Sequence, residues 1–224
     1  MDAASFRQVL APGTIASLFG TNLAASTAEA SALPLPFELA GVRMTVSGLD
    51  APLFFVSPTQ INFQAPQETP LGAVGIVVQR GSSASPPIIA TVAANAPSIF
   101  TYPRVAGTQD PIVLHTNGKL VTPTDPAQGG ETLIVFGTGI GELQNAPPTG
   151  AAALARPLAT AKVNPAVTIG GAAAESLFAG LAPGFAGLAQ FNIRLPARLP
   201  SGSSLALIIR IGSSSSQTVN LAVR

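Results

Sequence analysis

The chain has 224 residues, a formal net charge of +1, only 9% charged residues and no cysteine. With no basic stripe able to neutralise several phosphates, a nucleic-acid partner is excluded, and without thiols so are disulfides, thiolate metal sites and a cysteine nucleophile. The most apolar uncharged stretch, Ser176 to Ala189, contains Pro183 and falls short of the about 20 apolar residues of a membrane span, so no membrane insertion is expected. The 22 Gly and 21 Pro break helices but suit short strands joined by turns.

In chain order, Ala11-Pro12-Gly13 is a turn, and Thr14–Phe19 mixes polar and apolar residues as a half-buried strand does before Gly20-Thr21-Asn22 ends it. After a loop containing Leu33-Pro34-Leu35-Pro36, Val42–Val46 alternates cleanly and stops at Ser47-Gly48. Ala51–Val56 is a third strand, with Pro52 at its start, where a missing N–H is tolerated. Gln60–Gln64 has period two, with Ile61 and Phe63 toward a core and Gln60, Asn62 and Gln64 away from it. Val74–Arg80 and Ile88–Ala94 follow. Six or more short strands within 100 residues predict a β-sandwich.

Next, Ile112–Val121 reads as a β-hairpin turning at Asn117-Gly118, for which a type I′ turn is expected. Thr122-Pro123-Thr124-Asp125-Pro126 is a stiff, extended lead-in, so the connector is expected to fix the angle between domains. The strands Thr132–Phe136, Ala166–Ile169, Gln190–Leu195, Leu205–Ile211 and Thr218–Val223 then repeat the first set. Phe19-Gly20-Thr21-Asn22-Leu23 returns as Phe136-Gly137-Thr138-Gly139-Ile140, and Gln60-Ile61-Asn62 returns as Gln190-Phe191-Asn192. A duplicated unit of roughly 100 residues is a whole domain. The expected organisation is all-β: two tandem immunoglobulin-like β-sandwiches, residues 1–97 and 128–224, joined by a connector, 98–127, that holds the hairpin.

Catalytic chemistry finds little support. Gly137-Thr138-Gly139-Ile140-Gly141 follows an apolar strand but fails the dinucleotide-loop pattern in both registers, with Glu142 or Gln144 where the third glycine belongs. No helical pattern follows to present an N-terminus to a phosphate, so a structural turn is expected. His115, the only histidine, precedes a hairpin turn and is expected to face solvent, without the convergent ligands of a metal site. The acidic residues are dispersed. No catalytic, cofactor-binding or metal residue is assigned, and no cofactor is expected.

Two sets of residues remain as a candidate binding surface. The Gln60/Asn62 and Gln190/Asn192 pairs recur, which favours bonds that pin each sandwich over a polar strip for a partner. Between Ala182 and Ala189 the second copy has five residues more than the first has at Ser57-Pro58-Thr59. Phe185 and Leu188 in this enlarged loop are candidates for an exposed apolar contact.

Several segments together point to a family: Ala11–Ile15 with Phe19–Leu23, Leu53–Pro66, Ala96-Pro97-Ser98-Ile99-Phe100, and Phe178–Gly184. In these the chain resembles, over nearly its whole length, the uncharacterised C-terminal module of large secreted proteins from Acidobacteria, the Solibacter C-terminal domain. Each half also resembles the IPT/TIG branch of immunoglobulin-like folds. The resemblance implies a modular role, export, and attachment to a longer chain; it carries no catalytic residues, because the family has no established activity. Met1-Asp2 begins no export signal, so an extracellular or cell-surface location rests on the resemblance. The functional expectation is a non-enzymatic interaction, adhesion or spacer module whose partner is a protein or a cell-surface polysaccharide. The alternative is a carbohydrate-binding accessory module of a secreted enzyme, although the absence of Trp and the single Tyr (Tyr102) weigh against lectin activity.

Overall fold

The computed structural model describes residues 1–105, 107–200 and 202–224, and every regular element among them is a strand. The architecture is two tandem immunoglobulin-like β-sandwiches joined through a connector that contains β-hairpins. In the first, Ile15–Phe19, Gln60–Gln64 and Leu53–Val56 form one layer in that order. Val42–Val46, Gly72–Arg80 and Ile88–Val92 form the other. This is the immunoglobulin division of strands B, E and D from C, F and G. Val9–Leu10 runs parallel to Thr91–Val92 and closes the edge.

Period-two patterning fills the core between the layers. Val42, Met44 and Val46 are fully buried from one side, Ile61 and Phe63 from the other. Each such side chain contributes about 1.5–3 kcal/mol of transfer free energy. The two cores are separate: one draws its members from Leu10 to Val92, the other from Ile99 to Val223.

The duplication holds residue by residue. Ser17 pairs with Asn62 and Phe19 with Gln60; Ile134 pairs with Asn192 and Phe136 with Gln190. Both copies carry a bulge at the same place, between Leu53 and Phe55 and between Ser176 and Phe178, so that Phe55 and Phe178 each face the repeated asparagine. A bulge re-aims every side chain beyond it. In both copies a glycine with positive φ, Gly13 or Gly130, precedes the second strand. The next residue accepts from the backbone N–H three positions back: Thr14 Oγ1 from Ala11 at 2.9 Å, Glu131 Oε2 from Gln128 at 3.0 Å.

Four features differ from the sequence reading. The longest strand, Ala172–Leu181, pairs at its start with Ala166–Ile169 and then with Ala189–Arg194, which merges both layers of the second sandwich into one continuous sheet. The connector contains a second hairpin, Thr101–Val105 with Thr108–Pro111. The expected hairpin forms over Val113–Val121, but its turn is not type I′. His115 accepts from the N–H of Gly118 and donates its own N–H to the Lys119 carbonyl, each at 2.9 Å, and Gly118 has φ +83° while Asn117 keeps negative φ. That is a three-residue loop, a type I turn followed by a left-handed glycine. Finally, His115 does not face solvent; it is buried, 7% exposed.

Candidate functional site

The two sandwiches meet along the glycine run. Ala94–Ser98, leaving the first sandwich, lies directly on Gly137–Gly141. Ser98 and Ile99 pair with Thr138 and Gly137, the Ala96 N–H donates to the Gly139 carbonyl at 2.9 Å, and Asn95 Nδ2 donates to the Ile140 carbonyl at 2.7 Å. A Cβ on Gly137, Gly139 or Gly141 would overlap the carbonyl oxygen of Ser98, Ala96 or Ala94, respectively. Alternating glycines thus let one backbone approach another, and the run is a seat for the connector. Thr138, fully buried, accepts the Ile15 N–H on its Oγ1 at 2.8 Å and so adds a bond between the domains.

On the other side of the junction, two loops of the second sandwich reach the first. Gly150 donates its N–H to Gln64 Oε1 at 2.8 Å and accepts the Leu35 N–H at 2.8 Å; Thr149 Oγ1 accepts the Gln67 N–H at 3.0 Å. The enlarged loop, Ala182–Ala189, leans on this first loop: Gly184 donates to the Ala153 carbonyl at 2.8 Å, and Ala153 donates to the Phe185 carbonyl at 2.9 Å.

The result is an open cleft of about 400 Å³ between the domains, floored by Leu35, Phe54 and Ile15 and rimmed by Leu33, Leu188 and Phe185. Phe185 is 55% exposed and Leu33 40%. Exposed Ser31 is the one polar side chain among the residues that line the cleft. Of the residues singled out in the sequence, Phe185 and Leu188 therefore come together. Leu33 carried no local signal, and Phe54, which as a phenylalanine in the strand Ala51–Val56 reads as core, is half-buried and lines the cleft.

The recurring amides lie elsewhere. Gln60 Nε2 donates to Asn62 Oδ1 at 2.8 Å and Gln190 Nε2 to Asn192 Oδ1 at 2.9 Å, so each pair bonds to itself along the sheet face. Asn62 Oδ1 also accepts from Ser17 Oγ at 2.9 Å. None of the four lines the cleft.

His115 holds the hairpin to the start of the second sandwich. Its Nδ1 hydrogen-bonds to Glu131 Oε1, and its Nε2 lies 3.2 Å from the Asp125 carbonyl oxygen. Burial pulls its pKa down, but the bonds to Glu131 and Asp125 and the charges of both carboxylates outweigh this and leave it raised above 6.5. Among the described residues no group of three or more His, Cys, Asp or Glu is placed to hold a metal ion.

No family model and no curated protein matches the chain. Among solved structures it is similar to SGBP-B of the Bacteroides ovatus mixed-linkage glucan utilization locus, in complex with a mixed-linkage heptasaccharide (13% identity, TM-score 0.38, covering 98% of this chain and 44% of that one). It is also similar to SGBP-B from a complex xyloglucan utilization locus in Bacteroides uniformis (16%, 0.32, 99% and 48%) and to the I9–I11 tandem from titin (11%, 0.25, 96% and 62%). The chain spans less than half the length of the first two. At such identities and TM-scores, function has to be argued from the site itself.

Proposed function

We propose that the chain is a non-catalytic binding module of an exported or surface protein, and that the cleft at the domain junction takes a saccharide chain. One observation carries this reading: the two loops meet at the junction and hold an exposed phenyl ring beside an apolar floor. A flat ring offered to solvent complements the C–H face of a sugar, and the Ser31 hydroxyl can meet the sugar's hydroxyls. Size also favours a small ligand. The cleft falls in the range of about 300–1,000 Å³ usual for such sites. A stable protein partner needs about 20–30 residues on each side, and ten line the cleft. The resemblance to acidobacterial C-terminal modules supports export and attachment to a longer chain.

The test is affinity electrophoresis and calorimetry against soluble polysaccharides, mixed-linkage glucan and xyloglucan included. Retention of the wild type on at least one, weakened about tenfold or more in Phe185→Ala, is expected. Unchanged retention in the variant, or none for the wild type, overturns the reading. The second reading, an adhesion or spacer module, draws on the hydrogen bonds that tie the two sandwiches together at both sides of the junction, and would then lead.

A further inference from the structure

The junction cleft offers a ligand very little polarity. Of the ten residues that line it, Ser31 alone has a polar side chain, and none is charged. Along the chain, the only charged neighbour of a lining residue is Glu29, exposed beside Ala30. An anionic polysaccharide would meet no cation here and one like charge close by. Charge complementarity therefore calls for a neutral ligand.

Hydrogen-bond demand narrows the choice further. An unsubstituted sugar ring carries several hydroxyls, each both donor and acceptor, and a hydroxyl taken from water without a partner is costly. Ser31 can answer one or two of them. The rest would lie against Ile15, Leu35, Phe54 and Leu188, whose side chains offer only carbon. Such a ring can stack on exposed Phe185, but it gains little by reaching the floor.

The polar group is held in place. Ala30 donates its N–H to the Phe54 carbonyl at 2.9 Å, and Leu35 donates to the Gly150 carbonyl, across the junction, at 2.8 Å. Ser31 thus lies on a segment tied at one end to the floor strand and at the other to the second sandwich. The loop that carries Phe185 is closed by the Ala182 N–H on the Leu188 carbonyl at 2.9 Å. One hydroxyl, an apolar floor and a phenyl rim therefore keep fixed places.

We infer that the cleft selects a neutral polysaccharide by an O-acetyl substituent, an inference that rests on the saccharide reading and names its ligand class. An acetyl ester joins one carbonyl, which needs one donor, to a methyl group, which needs none. The Ser31 hydroxyl donates to the carbonyl, and the methyl packs on Leu35 and Phe54, where leaving water is favourable. The sugar that bears the ester stacks on Phe185 and keeps its remaining hydroxyls in solvent. An N-acetyl group fits less well, because its N–H would be buried among side chains that offer no further acceptor.

The test is calorimetry on the whole chain with O-acetylated glucomannan oligosaccharides, before and after mild saponification, which releases the acetyl groups as acetate and leaves the sugar backbone intact. The acetylated form is expected to bind about tenfold or more tighter than the deacetylated one. Ser31→Ala is expected to bring the two close to equal while leaving the affinity for the deacetylated form unchanged, which also shows that the variant is folded. Equal affinity of the wild type for both forms, or a preference that Ser31→Ala keeps in full, overturns the inference and leaves the saccharide reading standing. Binding of neither form also overturns it; the saccharide reading falls with it only if mixed-linkage glucan and xyloglucan are not retained either.

Discussion

A methyl group on Gly139 would overlap the carbonyl oxygen of Ala96, the same residue whose N–H donates to the Gly139 carbonyl at 2.9 Å. The two backbones touch, and only glycine allows it. Gly139 also has φ +76°. For Gly139→Ala, left-handed strain of about 1–2 kcal/mol adds to an overlap of about 1–3 kcal/mol. Gly171→Ala, at φ +83° with open space around it, carries the first cost alone. Urea denaturation is expected to rank Gly139→Ala well below Gly171→Ala, and limited proteolysis to find new cleavage near Ala94–Ser98 only in the former.

Much of this fold could be read before the structure, and the failures have physical reasons. Val42–Val46 and Gln60–Gln64 alternate because each has one buried face. Ala172–Leu181 escaped because alanine reads neither as core nor as surface, and a strand serving both layers has no constant buried side. The hairpin Thr101–Pro111 lacks period two and contains Pro103. Glycine spacing ruled out a phosphate loop, but what lies on Gly137–Gly141 is 40 residues distant and left no local mark. The burial of His115 depends on Glu131, which pairing brings to it from beyond the hairpin. In the cleft, Phe185 and Leu188 were legible only as a difference between copies.

His115 sets a pH dependence of determinate sign. Its folded-state pKa lies above its ordinary value, so its contribution is complete below about pH 6.5 and is lost as pH rises through the folded-state value. Melting temperatures of wild type and His115→Gln between pH 5.5 and 9 are expected to converge as pH rises. A difference that stays constant over that range excludes the bond to Glu131 as a protonation-linked contact.

The repeated amides are expected to be unequal. Asn62 accepts from both Ser17 and Gln60, whereas Asn192 accepts from Gln190 alone, because Ile134 stands in the place of Ser17. At about 1 kcal/mol per hydrogen bond, Asn62→Ala should cost about 1 kcal/mol more than Asn192→Ala. Chemical denaturation of the two variants measures the gap, and equal costs would show that the Ser17 bond contributes nothing net.

Phe185→Ala is expected to leave stability within about 0.5 kcal/mol of wild type, since the side chain is 55% exposed. Equilibrium unfolding of the same preparation used for polysaccharide binding makes the check. A large loss would mean that the ring braces the junction, and any loss of binding would then need another explanation.

The separation of the two cores also sets an order of events during synthesis. Every member of the first core lies between Leu10 and Val92, so that sandwich can close while the rest of the chain is still being made. Its exit segment cannot settle then, because Gly137–Gly141 and Gly150, which receive Ala94–Ser98 and Gln64, are translated later. The junction, and with it the cleft under Phe185, can therefore assemble only after Gly137–Gly150 and the Ala182–Ala189 loop have been made.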